Sequence, residues 1–157
     1  MGPELIKDIL LNIRNARIAV YGDFCLDAYL IMDPKGSEIS VETGIKAEAV
    51  QRHYYSPGGA SNIAANLAAL KPAEIFPIGV LGNDIYAREL KLQLEAMGII
   101  TSHLISQEKE FDTCVLLKRI MRDEDGPRID FGTNNKRNTE TDDQLLKAIE
   151  YALTSYD

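Results

Sequence analysis

Ser56-Pro-Gly-Gly-Ala-Ser-Asn62 runs directly into Ile63-Ala-Ala-Asn-Leu-Ala-Ala-Leu70, and this junction limits the fold more than any other stretch of the chain. The second half reads as a helix so dense in alanine that it can lie close against a sheet. Lys71-Pro72 stops it, because the residue before a proline avoids the helical region. The first half sets two glycines at the mouth of that helix, where no side chain separates the backbone from a ligand. A helix start offers unpaired N–H groups and a partial positive charge. Asn62 adds a donor and an acceptor suited to a pair of hydroxyls. The same residues also suit a plain tight turn with Asn62 as an ordinary helix residue. They form neither a Gly-x-Gly-x-x-Gly fingerprint nor a P-loop, since no Lys-Ser or Lys-Thr follows the glycines.

Around this junction the apolar pattern alternates between strand and helix. Pro3 opens a helix over 3–14 with Leu5, Ile6, Ile9, Leu10 and Ile13 on one face. Arg17-Ile-Ala-Val-Tyr-Gly22 is a buried strand, the first of a parallel sheet. Residues 23–57 predict one or two strands in a small projecting sheet, with a turn at Asp33-Pro-Lys-Gly36. A strand over 74–81 contains Pro77, which calls for a bulge or an unbonded position. A helix to Met97 places Leu90, Leu94 and Met97 at core spacing and is capped by Gly98. A short strand follows over 101–105, then a hairpin formed by 113–121 and 128–131 around Asp123-Glu-Asp-Gly126. The last helix begins near Thr141, with Gln144 completing a capping box and Leu145, Ile149, Ala152 and Leu153 facing inward. Strands alternating with helices indicate an α/β sheet with right-handed crossovers.

Composition excludes several classes. With 45% hydrophobic and 26% charged residues the chain can bury a sizeable core. A net charge of −7 argues against nucleic acid as a partner. No apolar run reaches the roughly 20 residues of a membrane span, and the amino end does not read as a secretory signal. Cys25 and Cys114 lie far apart without Cys-x-x-Cys spacing, and His53 and His103 complete no zinc pattern. Buried free thiols in a cytoplasmic protein are the expectation.

A second candidate site follows the first strand. Tyr21-Gly-Asp23-Phe-Cys-Leu-Asp27 puts Asp23 and Asp27 beyond the carboxyl end of a parallel strand, where open α/β sheets bind ligands. Carboxylates there can accept hydrogen bonds from hydroxyls, although loop aspartates also commonly cap turns. Taken in order, Gly-Asp-x-x-x-Asp, a β excursion, Pro-Gly-Gly-x-x-Asn-x-Ala-x-Asn-Leu-Ala and Gly79-Val-Leu-Gly82-Asn-Asp84 resemble the first half of a PfkB, ribokinase-like carbohydrate kinase. The resemblance covers about residues 16–157. Glu38-Ile-Ser-Val-Glu-Thr43 and Arg128-Ile-Asp-Phe131 are most similar to the D-glycero-beta-D-manno-heptose-7-phosphate kinase branch, although Val115-Leu-Leu117 is less basic than that branch usually is.

The resemblance implies a three-layer, Rossmann-like sheet with a small projecting β lid, of which 1–157 is a single incomplete domain with lid strands at roughly 28–55 and 113–131. It makes Asp27 a ligand for sugar hydroxyls, with Asp23 beside it, and Gly58, Gly59 and Asn62 the floor and grip of a sugar pocket. Lys118, Arg119 and Arg122 are cations available to a substrate phosphate, though exposed strand residues of this kind are often simply solvated. It implies pairing of two subunits through the lid. The family's second signature, Asp-Thr-x-Gly-Ala-Gly-Asp, carries the general base and an anion hole and is absent from these residues. Phosphoryl transfer rests on positioning and charge stabilisation. The implied ATP and Mg2+ sites and the catalytic residues are therefore expected in a C-terminal half, and 1–157 alone is expected to be inactive. A non-catalytic sugar-binding or regulatory module of the same fold is the alternative.

Overall fold

The computed structural model describes residues 2–122 and 124–156, and the strands among them form three sheets. Along the chain the elements are α1 (Pro3–Asn12), β1 (Arg17–Tyr21), β2 (Phe24–Ile39), β3 (Lys46–Gly58), α2 (Gly59–Ala69), β4 (Glu74–Ile78), β5 (Val80–Gly82), α3 (Ile85–Ala96), β6 (Ile105–Gln107), β7 (Val115–Met121), β8 (Glu124–Asp125), β9 (Ile129–Phe131) and α4 (Thr139–Ser155). β1 and β4 pair in parallel, as do β5 and β6. The projecting sheet has the order β3-β2-β7-β8, with β9 also on β7. Its β2–β7 pair is parallel and its other ladders are antiparallel. Asp123, within the expected hairpin turn, lies outside the described residues.

The alanine-rich helix does what its composition allows. Ala60 and Ala64 are buried in the main core with Val20, Phe24, Leu26 and Ile75, and Leu90 and Leu94 of α3 close it from the other side. A Cβ on Gly22 would stand 3.1 Å from the Ala60 Cβ, so the turn after β1 and the start of α2 nearly touch. A second cluster of Phe76, Ile78, Leu145 and Ala152 holds α4 against β4.

Several local expectations change in the folded chain. The strand over 74–81 is two strands, because at Gly79 the chain passes the Phe24 ring and the Gly22 carbonyl too closely for a side chain. Pro77 pairs with Val20 two residues before this break. β1 is the only ladder partner of β4 among the described residues, so the missing N–H interrupts no second ladder. Thr101–His103 is a 3₁₀ turn, and the strand begins at Ile105. α4 starts at Thr139, not Thr141: Asn138 is the cap and accepts from the Thr141 N–H at 2.8 Å, while Gln144 bonds Glu140. Met97 and Leu153 are exposed despite their spacing, and α1 forms as expected but buries no residue.

Gly79→Ala is expected to destabilise the chain by about 1–3 kcal/mol, because the added Cβ overpacks Phe24. Urea unfolding checks this, and an unchanged midpoint contradicts it.

Candidate functional site

The end of β1, the start of β2 and the mouth of α2 are stitched together by main-chain contacts. Ala60 N–H donates to the Asp23 carbonyl at 2.9 Å, and Phe24 bridges Gly59 across the strand–helix junction. Gly59 has φ +52°, and a Cβ there would fall 2.6 Å from the Asp23 carbonyl oxygen. Gly58 is buried, and a Cβ on it would lie 2.7 Å from Asp27 Oδ1. Each glycine is thus required by a different aspartate: Gly59 admits the backbone of Asp23, and Gly58 admits the carboxylate of Asp27.

Asp27 caps no turn. It lies inside β2, opposite Ser56 of β3 and Leu116 of β7. Its Oδ2 accepts from Lys118 Nζ at 2.8 Å and from the Tyr29 hydroxyl at 3.4 Å. Its Oδ1 is buried and has no hydrogen-bond partner among the described residues. The hydroxyl of Ser61, in the first turn of α2, is buried and unpartnered in the same way.

Strand alternation puts Asp27 and Tyr29 on one face of the projecting sheet, away from the buried Leu26 and Ala28. Tyr29 stands in one row with Tyr54 of β3 and Lys118 of β7. The two tyrosine rings stack at 4.6 Å with 6° between their planes. The Lys118 ammonium lies 4.6 Å from the Tyr29 ring and 3.1 Å from its hydroxyl, and Arg52 approaches Tyr54 at 5.6 Å. The hydrogen bond to Asp27 raises Lys118 above the ordinary lysine range.

Asp23, Asp27, Gly58, Gly59 and Lys118 therefore come together. Asn62 belongs to the same helix start, but its side chain is exposed and accepts from Asn66 Nδ2 at 3.2 Å. Arg119 falls on the opposite face of β7 from Lys118 and pairs with Glu48. Arg122 sits past the end of β7 with φ +51° and lines a different hollow, with Met32 and Met121. The cavity next to the junction, about 450 Å³, is lined by Asp23, Phe24, Phe111, Cys114, Asn135 and Arg137 among others, and Asp27, Gly58 and Asn62 do not line it. Sequence reasoning missed Tyr29, Tyr54 and Arg137. Period-two spacing from Asp27 could have found Tyr29. Nothing local links Arg137, which pairs with Asp142 at 2.6 Å, to Asp23 across the cavity.

With that geometry, comparison with known proteins is informative. The family model described as "pfkB family carbohydrate kinase" matches residues 15–157. The Bifunctional protein HldE of Hahella chejuensis is 34% identical over 118 residues, 75% of this chain and 24% of its own length. HldE of Shewanella sp. strain ANA-3 is 31% identical over 152 residues, 97% of this chain and 30% of its own length. Among solved structures, Arabidopsis thaliana ribokinase complexed with ribose and ATP superposes with a TM-score of 0.62 at 17% identity, covering 85% of this chain and 43% of that one. Ribokinase from Cryptococcus neoformans in complex with ADP gives 0.56 at 18% identity, covering 80% and 37%. These likenesses show a ribokinase-like α/β fold. The chain spans about a quarter to a third of these curated relatives and less than half of these two ribokinases.

The Asp27–Lys118 pair makes a pH prediction. Because the folded Lys118 pKa is raised, its contribution to stability is fully present below the ordinary lysine value of about 10.4 and is lost as pH rises through the raised one. In Asp27→Asn, Lys118 is expected to titrate lower than in the parent chain by NMR, with a flatter stability profile across that window. An unchanged Lys118 titration contradicts the pairing.

Proposed function

The chain belongs to the pfkB family of carbohydrate kinases, and from that premise we propose that residues 1–157 supply the sugar-binding part of an ATP-dependent carbohydrate or sugar-phosphate kinase of the cytoplasm. The observation that carries this reading is the Asp27 carboxylate, with one oxygen held by Lys118 and Tyr29 and the other buried, without a hydrogen-bond partner among the described residues and flanked by the bare backbone of Gly58. A sugar hydroxyl that donates to Oδ1 satisfies that oxygen. Lys118 holds the carboxylate in place, and Gly58 and Gly59 allow the sugar to approach the main chain. Asn62 reaches the same ligand by exchanging its bond with Asn66 for a pair of hydroxyls. The row of Tyr54, Tyr29 and Lys118 walls the cup on the side of the projecting sheet and lets it act as a lid.

ATP supplies the transferred phosphoryl group, and Mg2+ the charge that stabilises it. Among the described residues no group of three or more His, Cys, Asp or Glu side chains is placed to hold a metal ion. Mg2+ is commonly held by one or two carboxylates together with the nucleotide's own phosphates, so its site is assigned with the nucleotide site, and no step of transfer is derived through it. The nucleotide site and the general base are assigned to the part of the kinase fold that these residues do not span. Among the described residues no helix is long and apolar enough to cross a membrane.

Calorimetric titration of the chain with D-ribose, D-fructose and a heptose 7-phosphate tests the cup. At least one is expected to bind, and Asp27→Ala and Asn62→Ala are each expected to weaken it about 10-fold or more, the scale of a lost charge-assisted hydrogen bond. Equal affinity in both variants overturns the assignment.

The same proposal includes a homodimer formed through the lid. Ile39, Val41 and Ile45 stand exposed at the tip joining β2 to β3, and Val50 is exposed on β3 itself. Sedimentation is expected to give a dimer that Val41→Glu with Ile45→Glu converts to monomer. A monomeric parent chain refutes it.

A further inference from the structure

Cys25 and Cys114 are the two cysteines of the chain, and the fold sets them side by side although 88 residues separate them in sequence. β2 and β7 run parallel with Leu26 opposite Val115, and the Leu26 N–H donates to the Cys114 carbonyl at 2.9 Å. Cys25 and Cys114 each precede one member of that pair. Leu26 and Val115 are both fully buried in the core, so the two cysteines share the other face of the sheet. Neighbouring strands lie about 4.8 Å apart, inside the roughly 4.4–6.8 Å between Cα atoms that a disulfide spans. The exposures of the two thiols differ: Cys25 is buried, with its Sγ 3.5 Å from the Asp23 carbonyl, whereas Cys114 is partly exposed and lines the cavity of about 450 Å³ beside Asp23 and Arg137.

We propose that Cys114 is an oxidation site for peroxide and that Cys25 is its resolving thiol, the two closing to an intrachain disulfide that ties β2 to β7. An exposed attacking thiol beside a buried partner is the arrangement that lets oxidation stop at a reversible stage. The ionisation preferences agree with these roles. The neighbouring Cys25 thiol holds Cys114 below the ordinary thiol range, and the Cys114 neighbour together with burial pushes Cys25 up. In the first step the Cys114 thiolate attacks hydrogen peroxide. An S–O bond forms, the O–O bond breaks, and the departing hydroxide takes a proton to become water. In the second step Cys25 gives up its proton and its sulfur attacks the Cys114 sulfur. An S–S bond forms, the S–O bond breaks, and the leaving hydroxide becomes a second water. The two thiols together lose two electrons, and the peroxide gains them.

The disulfide closes beneath the junction of β2 and α2, since a Cβ on Gly59 would stand 3.2 Å from Cys25 Sγ. It would therefore couple the redox state of the chain to the backbone of the proposed sugar cup. That consequence rests on the function proposed above, whereas the disulfide does not.

Peptide mapping by mass spectrometry, after treatment of the chain with dilute hydrogen peroxide and blocking of remaining thiols, tests the proposal without any sugar. The expected product links the Cys25 and Cys114 peptides within one chain, with the loss of two hydrogens, and dithiothreitol reverses it. In Cys25→Ser, Cys114 is expected to pass on to sulfinic acid. In Cys114→Ser, Cys25 is expected to remain a free thiol. Cross-linking between copies, sulfinic acid on Cys114 at the same rate with and without Cys25, or two unmodified thiols under conditions that oxidise free cysteine would each overturn it.

Discussion

The contact on which the rest of the site depends is the approach of the α2 mouth to the bend after β1. Asp23 carbonyl, Gly59 and Ala60 occupy a space that a single additional Cβ would close. That approach brings the start of a helix next to the end of a strand, orients β3 antiparallel to β2, and presents Gly58 to Asp27. An aspartate inside a strand ordinarily turns its carboxylate to solvent. Here one oxygen is turned inward, and it is tolerated because Lys118 compensates the other.

A second link joins the projecting sheet to the core. Asp84 caps α3 by accepting from Ala87 N–H at 2.8 Å, and its other oxygen accepts from Thr113 N–H at 2.8 Å. Thr113, fully buried, uses its hydroxyl to accept from Gly82 N–H at 3.0 Å. A helix cap, the end of β5 and the approach to β7 thus share one small network. It sets where β7 begins, and so which of its residues fall in register with β2. A one-residue slip would carry Lys118 to the face now held by Arg119 and move Cys114 away from Cys25.

Local chemistry was legible where one residue suffices to state it. Pro3 and Gly98 mark helix ends from their own backbone properties, and the alanine run announced a helix closely packed on a sheet. The misreadings occur where a distant neighbour decides. Gly79 breaks a strand because of the Phe24 ring, Met97 and Leu153 have core spacing yet stay exposed, and Asn138 outcompetes Thr141 as a cap because Thr141 is drawn into the interior.

By itself the sequence determined the alternation of strands and helices, the two glycines at the helix mouth, and the aspartates after the first strand, because periodicity and backbone freedom are carried by adjacent residues. Only the tertiary structure decided which cation reaches Asp27, that Tyr29, Tyr54 and Lys118 form one row, and that the two thiols meet. Each of these is a pairing across strands whose register is set by contacts many residues away, and a strand's sequence holds its alternation but not its partner's offset.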